Sequence, residues 1–496
     1  MLRQAKLILL CVMLVLVAMV TSAQGDPNLD PVELKIMSFN IWVGGELVDF
    51  NTIVEAIEAA DADIVGVQEG TGNTARLAAR LGWYAHERTQ IISRYPIIDP
   101  PGANGVYVLV QVRPGAVVAV MNVHLPSDPY GPYAVRDGAT REEVIALEEE
   151  TRLPYIQPQL EALPALLEAG MPVLLTGDFN TPSHHDWTEA VVATNPQRTL
   201  AVEWPVTVAV EAAGFVDTFR AAHPDPVENP GNTWTYGYPY PRLNDAEMID
   251  RIDLVFAAGD VEVLASEIVG HTGTPDVDIA IENYGSDHRG VVSTVRLTPA
   301  QPPLFVAVQD RTVAPDELIV VRYAARDGES VDRIAIVPMG GAVADTLMWL
   351  PPYEASFFGS VTFGASALTP GEYEAVLFGA EDEELSRNNF WITEPGALPT
   401  ISTAQATYAQ GEDILVQWDH APAMRWDWVG VWSAGDPDLY NNYWVFAYTG
   451  AAVSGELLLN SSVLGEEMLP AGDYVVRLML DDGYSMLAEA AFTVSE

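Results

Sequence analysis

The stretch Leu174-Leu175-Thr176-Gly177-Asp178-Phe179-Asn180-Thr181-Pro182 reads as the exit of a buried strand into a crevice. The apolar run from Met171 to Leu175 stops at Gly177, and a carboxylate and an amide follow at a spacing of two. On an extended chain that spacing points both side chains to the same side. Asp178 can hold a metal or take a proton, and the Asn180 amide can donate to a phosphoryl oxygen. Taken alone, Gly-Asp-Phe-Asn suits a strand-ending turn equally well, so its meaning depends on the rest of the chain.

Working outward, strand-like and helix-like segments alternate over residues 33–298. Leu34–Phe39 reads as a strand ending at Asn40, Val48–Ala60 has helical apolar spacing, and Asp63–Gln68 is a strand with Glu69 at its end. A buried strand is an uncommon place for a structural Glu. Thr74–Leu81 reads as a short helix, and Ile91–Ile97 as one strand broken by Pro96. Val106–Val112 and Val117–Val123 form an expected hairpin across Arg113-Pro114-Gly115, and the second strand runs into His124. A lone His at a strand end is more often structural than catalytic. Tyr130–Tyr133 falls in an expected pocket-lining loop, and Arg141–Ala169 in a helical stretch interrupted by Pro154 and Pro158. The adjacent His184 and His185 are expected to point apart and so not to form a metal pair. Met248–Phe256 reads as a strand with Arg251 and Asp253 on one face, and Gly285–Arg289 as a polar turn holding Asp287 and His288. Alternation of this kind indicates an α/β domain. Polar groups at six strand ends or turns look like a constructed site.

Composition narrows the setting. The chain has 496 residues, 49% of them hydrophobic, so about two to four domains with filled cores are expected. Arg3 and Lys6, an apolar run from Leu7 to Val20, and Thr21-Ser22-Ala23 read as a signal peptide, residues 1–23, with an uncleaved anchor as the alternative. Secretion, or export to a periplasm, follows, with no integral membrane segment after cleavage. The only cysteine, Cys11, lies in this segment, so the mature chain has no disulfide. The net charge is −45, and removal of Arg3 and Lys6 makes it −47, with Lys35 the one lysine left. Such a surface repels polyanions at long range, although solubility alone also accounts for it.

The ordered set Phe-Asn, Gln-Glu, Ser-Arg-Tyr-Pro, Asn-Val-His-Leu, Gly-Asp-Phe-Asn, Arg-Ile-Asp and Ser-Asp-His resembles the endonuclease/exonuclease/phosphatase superfamily. That group includes secreted deoxyribonucleases, apurinic endonucleases, neutral sphingomyelinases and inositol polyphosphate 5-phosphatases. The resemblance covers roughly residues 33–298. It implies a four-layer α/β sandwich, two packed β-sheets flanked by helices, and a divalent metal, Mg²⁺ or Mn²⁺. Glu69 is implied as the main metal ligand, with Asn40 and Asp287 near the metal or its waters. Asp178 and Asn180 are implied to hold the nucleophilic water and the phosphate. His288 is implied to act on the phosphoryl group or as general base, Asp253 to orient its ring, and His124 to face the phosphate.

Two departures bear on substrate. The secreted deoxyribonucleases carry an arginine after the metal-binding glutamate, where this chain has Gly70-Thr71-Gly72. They also pair the first histidine with a glutamate before the Arg-Pro turn, where this chain has Gly105-Val106-Tyr107. Duplex DNA is therefore disfavoured, and a small-molecule or lipid phosphodiester is the expected substrate. A nuclease acting on short or single-stranded nucleic acid, and an inactive surface-binding protein, are the alternatives.

The tract 297–303 reads as a linker. Beyond it, alternating strands and Gly/Pro turns replace helical periodicity. Leu368–Tyr373 matches Leu469–Tyr474, Asp332–Ile336 matches Asp427–Val431, and Leu318–Val320 matches Ile414–Val416, at offsets of 101, 95 and 96 residues. That period is the size of an immunoglobulin-like domain. Two all-β sandwiches, near 304–395 and 398–496, are expected, with Trp426, Trp428, Trp432 and Trp444 assigned to the second core rather than to a ligand platform.

Overall fold

The computed structural model describes residues 28–70, 72–100, 103, 105–234, 247–325, 331–352, 358–424, 427–436, 442–450, 452–461, 468–480 and 483–495. The signal segment 1–23, Thr71 and Trp426 lie outside them. The strands of the first region are β1 (Val32–Asn40), β2 (Ile64–Gln68), β3 (Tyr84–His86), β4 (Ile91–Ser93), β5 (Ile97–Ile98), β6 (Val108–Arg113) and β7 (Ala116–His124). They continue with β8 (Val173–Asp178), β9 (Val216–Asp217), β10 (Asp253–Ala258), β11 (Val261–His271), β12 (Ile279–Ile281) and β13 (Gly290–Leu297). A seven-stranded sheet runs β12-β11-β13-β1-β2-β4-β3, and a six-stranded sheet runs β5-β6-β7-β8-β10-β9.

The two sheets pack face to face through Leu34, Ile36, Ile64, Val110, Val118 and Val255. Helices Phe50–Ala60 and Thr74–Leu81 cover the outer face of the first sheet through Ile53, Ile57 and Leu77. Helices Leu153–Glu168 and Pro205–Ala212 cover the second through Ile156, Leu163, Val206 and Val210. The result is the four-layer α/β sandwich. Both sheets bury two faces, which is why their strands read as nearly continuous apolar runs.

Several local expectations change. The run Ile91–Ile97 is two strands in different sheets, β4 in the first and β5 in the second. Pro96, which cannot donate to a ladder, sits at the crossing. The strand expected from Met248 begins only at Asp253, so alternation does not govern Arg251. Residues Gly131–Arg136 are a short helix and not a loop. Pro158 lies inside the helix Leu153–Glu168 without breaking it. Its missing N–H removes the donor for the carbonyl four residues back, in the first turn, while Ile156, Leu163 and Leu166 pin the helix to the sheet. The eleven-residue β11 had no counterpart in the sequence reading.

Each half of the C-terminal region is a pair of sheets, antiparallel except for one parallel edge pairing in the larger sheet. Its strands are β14 (Phe305–Val308), β15 (Thr312–Val313), β16 (Leu318–Ala324), β17 (Val331–Pro338), β18 (Met348–Leu350), β19 (Phe358–Gly364), β20 (Gly371–Gly379) and β21 (Glu384–Ile392). The second half repeats them as β22 (Thr400–Thr403), β23 (Thr407–Ala409), β24 (Ile414–Asp419), β25 (Trp428–Ser433), β26 (Tyr443–Tyr448), β27 (Gly455–Leu459), β28 (Gly472–Met479) and β29 (Met486–Ser495). The sheets run β14-β16-β19 with β15-β21-β20-β17-β18, and β22-β24-β27 with β23-β29-β28-β25-β26. The two orders are the same strand for strand, as expected for tandem immunoglobulin-like sandwiches. Trp428 and Trp432 are buried, but Trp444 is 49% exposed on the edge strand β26.

The tract between the regions is pinned. Ala300 and Val117 exchange backbone hydrogen bonds of 2.8 and 3.0 Å. Phe305 and Phe358 join the core beneath the second sheet, and Phe358 covers Gly115 so closely that a Cβ there would meet its ring at 2.3 Å. From the second sandwich, Ser485 Oγ donates to the carbonyl of Gly72 at 3.1 Å.

Candidate active site

The site is built where strands of both sheets end. Asn40 ends β1 beside Gln68 of the parallel β2, and Glu69 follows. In the second sheet His124 pairs with Asp178 across parallel β7 and β8, and Asp178 with Asp253 across antiparallel β8 and β10. One row therefore carries His124, Asp178 and Asp253. Like charges directly opposite on neighbouring strands destabilise a sheet unless a cation intervenes.

His288 is that cation. Its Nδ1 lies 2.9 Å from Asp253 Oδ2, and its Nε2 lies 3.8 Å from Asp178 Oδ2. Burial works against its charge, but Asp253 and Asp178, with Asp287 beyond, push its pKa up to about 10. The ring therefore donates from Nδ1 to Asp253 and turns Nε2 toward Asp178. Ser286 fixes the approach, since its Oγ accepts from the His288 N–H at 3.1 Å and donates to the Asn40 carbonyl at 2.7 Å. Thr233 Oγ1 accepts from the N–H of Ile252 and of Asp253 at 3.1 and 3.0 Å, which sets the start of β10.

Asn40 joins the two sheets. Its Nδ2 donates to Asp178 Oδ2 at 2.9 Å and to Glu69 Oε1 at 3.2 Å. Glu69 sits on a left-handed backbone, φ 56°, and its Oε2 also accepts from the Val43 N–H at 2.8 Å. Both of these partners of its side chain are neutral donors, so neither offsets the charge of Glu69. Asp287 is nearby, and burial with the charges of Glu69 and Asp178 raises its pKa to about 6 in spite of His288. Asp287 Oδ1 and Asp253 Oδ1 are buried with no hydrogen-bond partner among the described residues. A buried acceptor left unmade costs about 1–3 kcal/mol, and more when charged.

Asn180 reaches the site differently from the expected alternation. Its φ is 49°, its N–H donates to Asp178 Oδ1 at 3.0 Å, and its Nδ2 donates to the Leu125 carbonyl at 3.0 Å. One amide hydrogen is thus engaged by the scaffold. His124, for which no carboxylate was foreseen, has Nε2 3.5 Å from Asp178 Oδ2 and a side chain 36% exposed. All eight residues singled out in the sequence thus stand on or beside this crevice.

Beneath it lies a polar layer that the sequence reading missed. Gln68 Nε2 donates to Asn122 Oδ1 at 2.7 Å, Thr176 Oγ1 donates to the same oxygen at 3.0 Å, and Ser38 Oγ accepts from the Gly177 N–H at 3.0 Å. A Cβ on Gly66 would meet Thr176 Oγ1 at 1.9 Å, so only glycine fits there. Asn122 and Ser286 lie inside quoted motifs; Thr233 had no local signal. Arg251 turns away from Asp253, and its guanidinium binds Asp186 and Asp217 at 2.7–3.2 Å with no exposure. Asp250 is likewise structural, taken by Tyr130 Oη, Trp187 Nε1 and Arg198 Nη2 at 2.9–3.0 Å.

Comparison with known proteins gives the family. An uncharacterized protein of Caenorhabditis elegans, F14F9.5, is 32% identical over 259 residues, which cover 46% of this chain and 79% of that protein. A crystal structure of an endonuclease/exonuclease/phosphatase from Beutenbergia cavernae is 18% identical, covers 73% of this chain and all of its own, and superposes with a TM-score of 0.35. D. rerio TDP2 complexed with a single-stranded DNA product is 17% identical over 53% of this chain and 98% of its own, with a TM-score of 0.31. Among the described residues no helix is long and apolar enough to cross a membrane. Residues 37–288 match the model of the endonuclease/exonuclease/phosphatase family, whose members are generally hydrolases of phosphoester bonds, and this chain belongs to that family.

Proposed function

We propose that residues 33–298 are a secreted, divalent-metal-dependent phosphodiesterase acting on a small molecule or a lipid head group, with 304–395 and 398–496 as binding or spacer modules. The observation that carries this reading is the convergence of Asn40, Glu69, Asp178, Asp253 and Asp287 on one crevice with the cation His288, where two buried carboxylate oxygens have no partner among the described residues. An oxygen-rich anionic set of this kind fits Mg²⁺ or Mn²⁺, which favour carboxylate and water ligands. Glu69, with Asn40 and Asp287, would hold the ion. When bound, it supplies neutralisation of the charge developing on the phosphoryl and leaving-group oxygens. Asp178, anchored by Asn40 and the Asn180 N–H, is placed to take a proton from water. His288, protonated and held by Asp253, offers Nε2–H to a phosphoryl oxygen, the stronger kind of hydrogen bond because the donor is charged. His124, on the open side of Asp178, offers a second donor to the phosphate.

The substrate class rests on charge and on the loop after Glu69. The net charge of −45 opposes a polyanion. Gly72, near where related deoxyribonucleases place an arginine, is covered by Ser485. Export rests on the leader-like residues 1–23.

The test uses metal-stripped protein. Adding Mg²⁺ should release p-nitrophenol from bis-p-nitrophenyl phosphate. At equal enzyme, Mg²⁺ and moderate salt, kcat/KM for sphingomyelin or another small diester should exceed that for plasmid nicking and for a short single strand. Rapid cleavage of either nucleic acid with little turnover of the others replaces this reading with the nuclease one. No turnover of any substrate replaces it with an inactive binding scaffold.

A further inference from the structure

A second cluster of ligand-type atoms lies outside the crevice. The turn His184–Asp186 places two imidazoles side by side, ring centroids 4.1 Å apart and tilted by 36°. Both face Glu211 on the helix Pro205–Ala212. His184 Nε2 lies 3.2 Å from Glu211 Oε2, and His185 Nε2 lies 2.8 Å from Glu211 Oε1. All three groups bring a ligand atom within 4.8 Å of the others. The expectation that adjacent histidines diverge fails because the chain here is a tight turn and not a strand.

Thr207 holds the His184 ring from behind. Thr207 Oγ1 accepts from the His184 backbone N–H at 3.0 Å and has the carbonyls of Trp204 and Pro182 at 3.3 and 3.5 Å. His184 Nδ1 is also 3.0 Å from Thr207 Oγ1. With the hydroxyl proton on a carbonyl, Nδ1 donates to Thr207 and the Nε2 lone pair faces the Glu211 carboxylate, where an ion can sit between them. A ring nitrogen donated to a fixed partner, with the other nitrogen aimed at a shared point, is how metal-binding histidines are held. Thr207 and Glu211 are four residues apart, on one helix face.

We propose that His184, His185 and Glu211 form a second metal site, selective for ions that favour imidazole, Zn²⁺ first among them. Two nitrogens and one carboxylate with a water complete a tetrahedral set. Zn–N bonds of about 2.0–2.1 Å place tetrahedral neighbours about 3.3 Å apart, close to the 3.2 Å between His184 Nε2 and Glu211 Oε2 and wider than the 2.8 Å between His185 Nε2 and Glu211 Oε1. His185 and Glu211 line an open cleft of about 400 Å³, which gives the ion a way in. The crevice offers mainly hard oxygens, so the two sites differ in metal preference. Bound metal would staple the segment that follows Asp178 and Asn180 to the helix Pro205–Ala212.

Calorimetric titration of the metal-stripped full chain with Zn²⁺, in excess Mg²⁺, tests this. Wild type should bind one tight Zn²⁺ and gain thermal stability. H185A, at a half-exposed position, and E211Q should each lose that binding, while H288A, altered only in the crevice, should keep it. T207V should weaken it about 10–100-fold. Absence of Zn²⁺ binding by the wild type, wild-type affinity in either H185A or E211Q, or loss in H288A overturns the proposal and leaves the trio a hydrogen-bonded His–Glu cluster.

Discussion

In the two β-sandwiches, some buried polar side chains close on their own neighbourhood. Tyr373 Oη donates to the Thr369 carbonyl at 2.9 Å, and Tyr474 Oη to the Pro470 carbonyl at 2.7 Å, each four residues upstream. Glu374 is buried but takes Arg387 and the Gly340 N–H. In the α/β region, by contrast, Asn40 reaches Asp178 across 138 residues and Ser286 reaches Asn40 across 246, and two carboxylate oxygens at the end of that chain of contacts have no partner among the described residues. The difference separates two uses of a buried polar group. A local, satisfied one fixes a turn and serves stability. A long-range, unsatisfied one is held by the fold against its own energetics, and its return comes on binding a ligand.

The sharpest break of that comparison is at His288. His288→Ala should lower kcat about 10²–10⁴-fold while the circular dichroism spectrum is retained, and Glu69→Gln should remove most Mg²⁺-dependent turnover. Full activity of either at saturating Mg²⁺ would take that residue out of the reaction. Arg251→Leu tests the opposite class within the same region. It removes the guanidinium between Asp186 and Asp217, leaving Asp186 with Arg220 and Asp217 with Ser183 and backbone N–H donors, so urea unfolding should show a loss of about 3–5 kcal/mol; a change under about 1 kcal/mol would mean that the buried network contributes little. Asp253→Asn should reduce kcat by less than His288→Ala and leave KM nearly unchanged, because the amide can still hold the ring but no longer its charge. A silent Asp253→Asn would show that His288 needs no carboxylate behind it.

Two smaller effects concern the modules. Truncation after Pro299 removes the Ala300 pairing and the Phe305 and Phe358 contacts, so the remaining chain should still hydrolyse a soluble diester but melt at a lower temperature. An unchanged melting temperature would make the interface incidental. Tyr474→Phe should cost about 1 kcal/mol, the value of one hydrogen bond, with activity untouched. Loss of turnover in that variant would couple the last sandwich to the crevice and erase the distinction drawn above.

Pattern and order in the sequence determined the alternating α/β region, the strands that end in Asn40, Glu69, His124 and Asp178, and the tandem sandwiches, whose Leu368–Tyr373 and Leu469–Tyr474 segments each carry the turn-closing tyrosine. These features are legible because burial periodicity and turn chemistry act over a few residues. Only the tertiary structure decided where side chains went once alternation lapsed. Arg251, two residues before β10, left Asp253 for Asp186 and Asp217; Asn180 entered through a left-handed backbone; and His184 and His185 converged on Glu211. It also divided Ile91–Ile97 between two sheets and set Ala300 against Val117. In each case the partner lies far along the chain, and its direction is fixed by packing of whole elements, for which a local stretch of sequence carries no period.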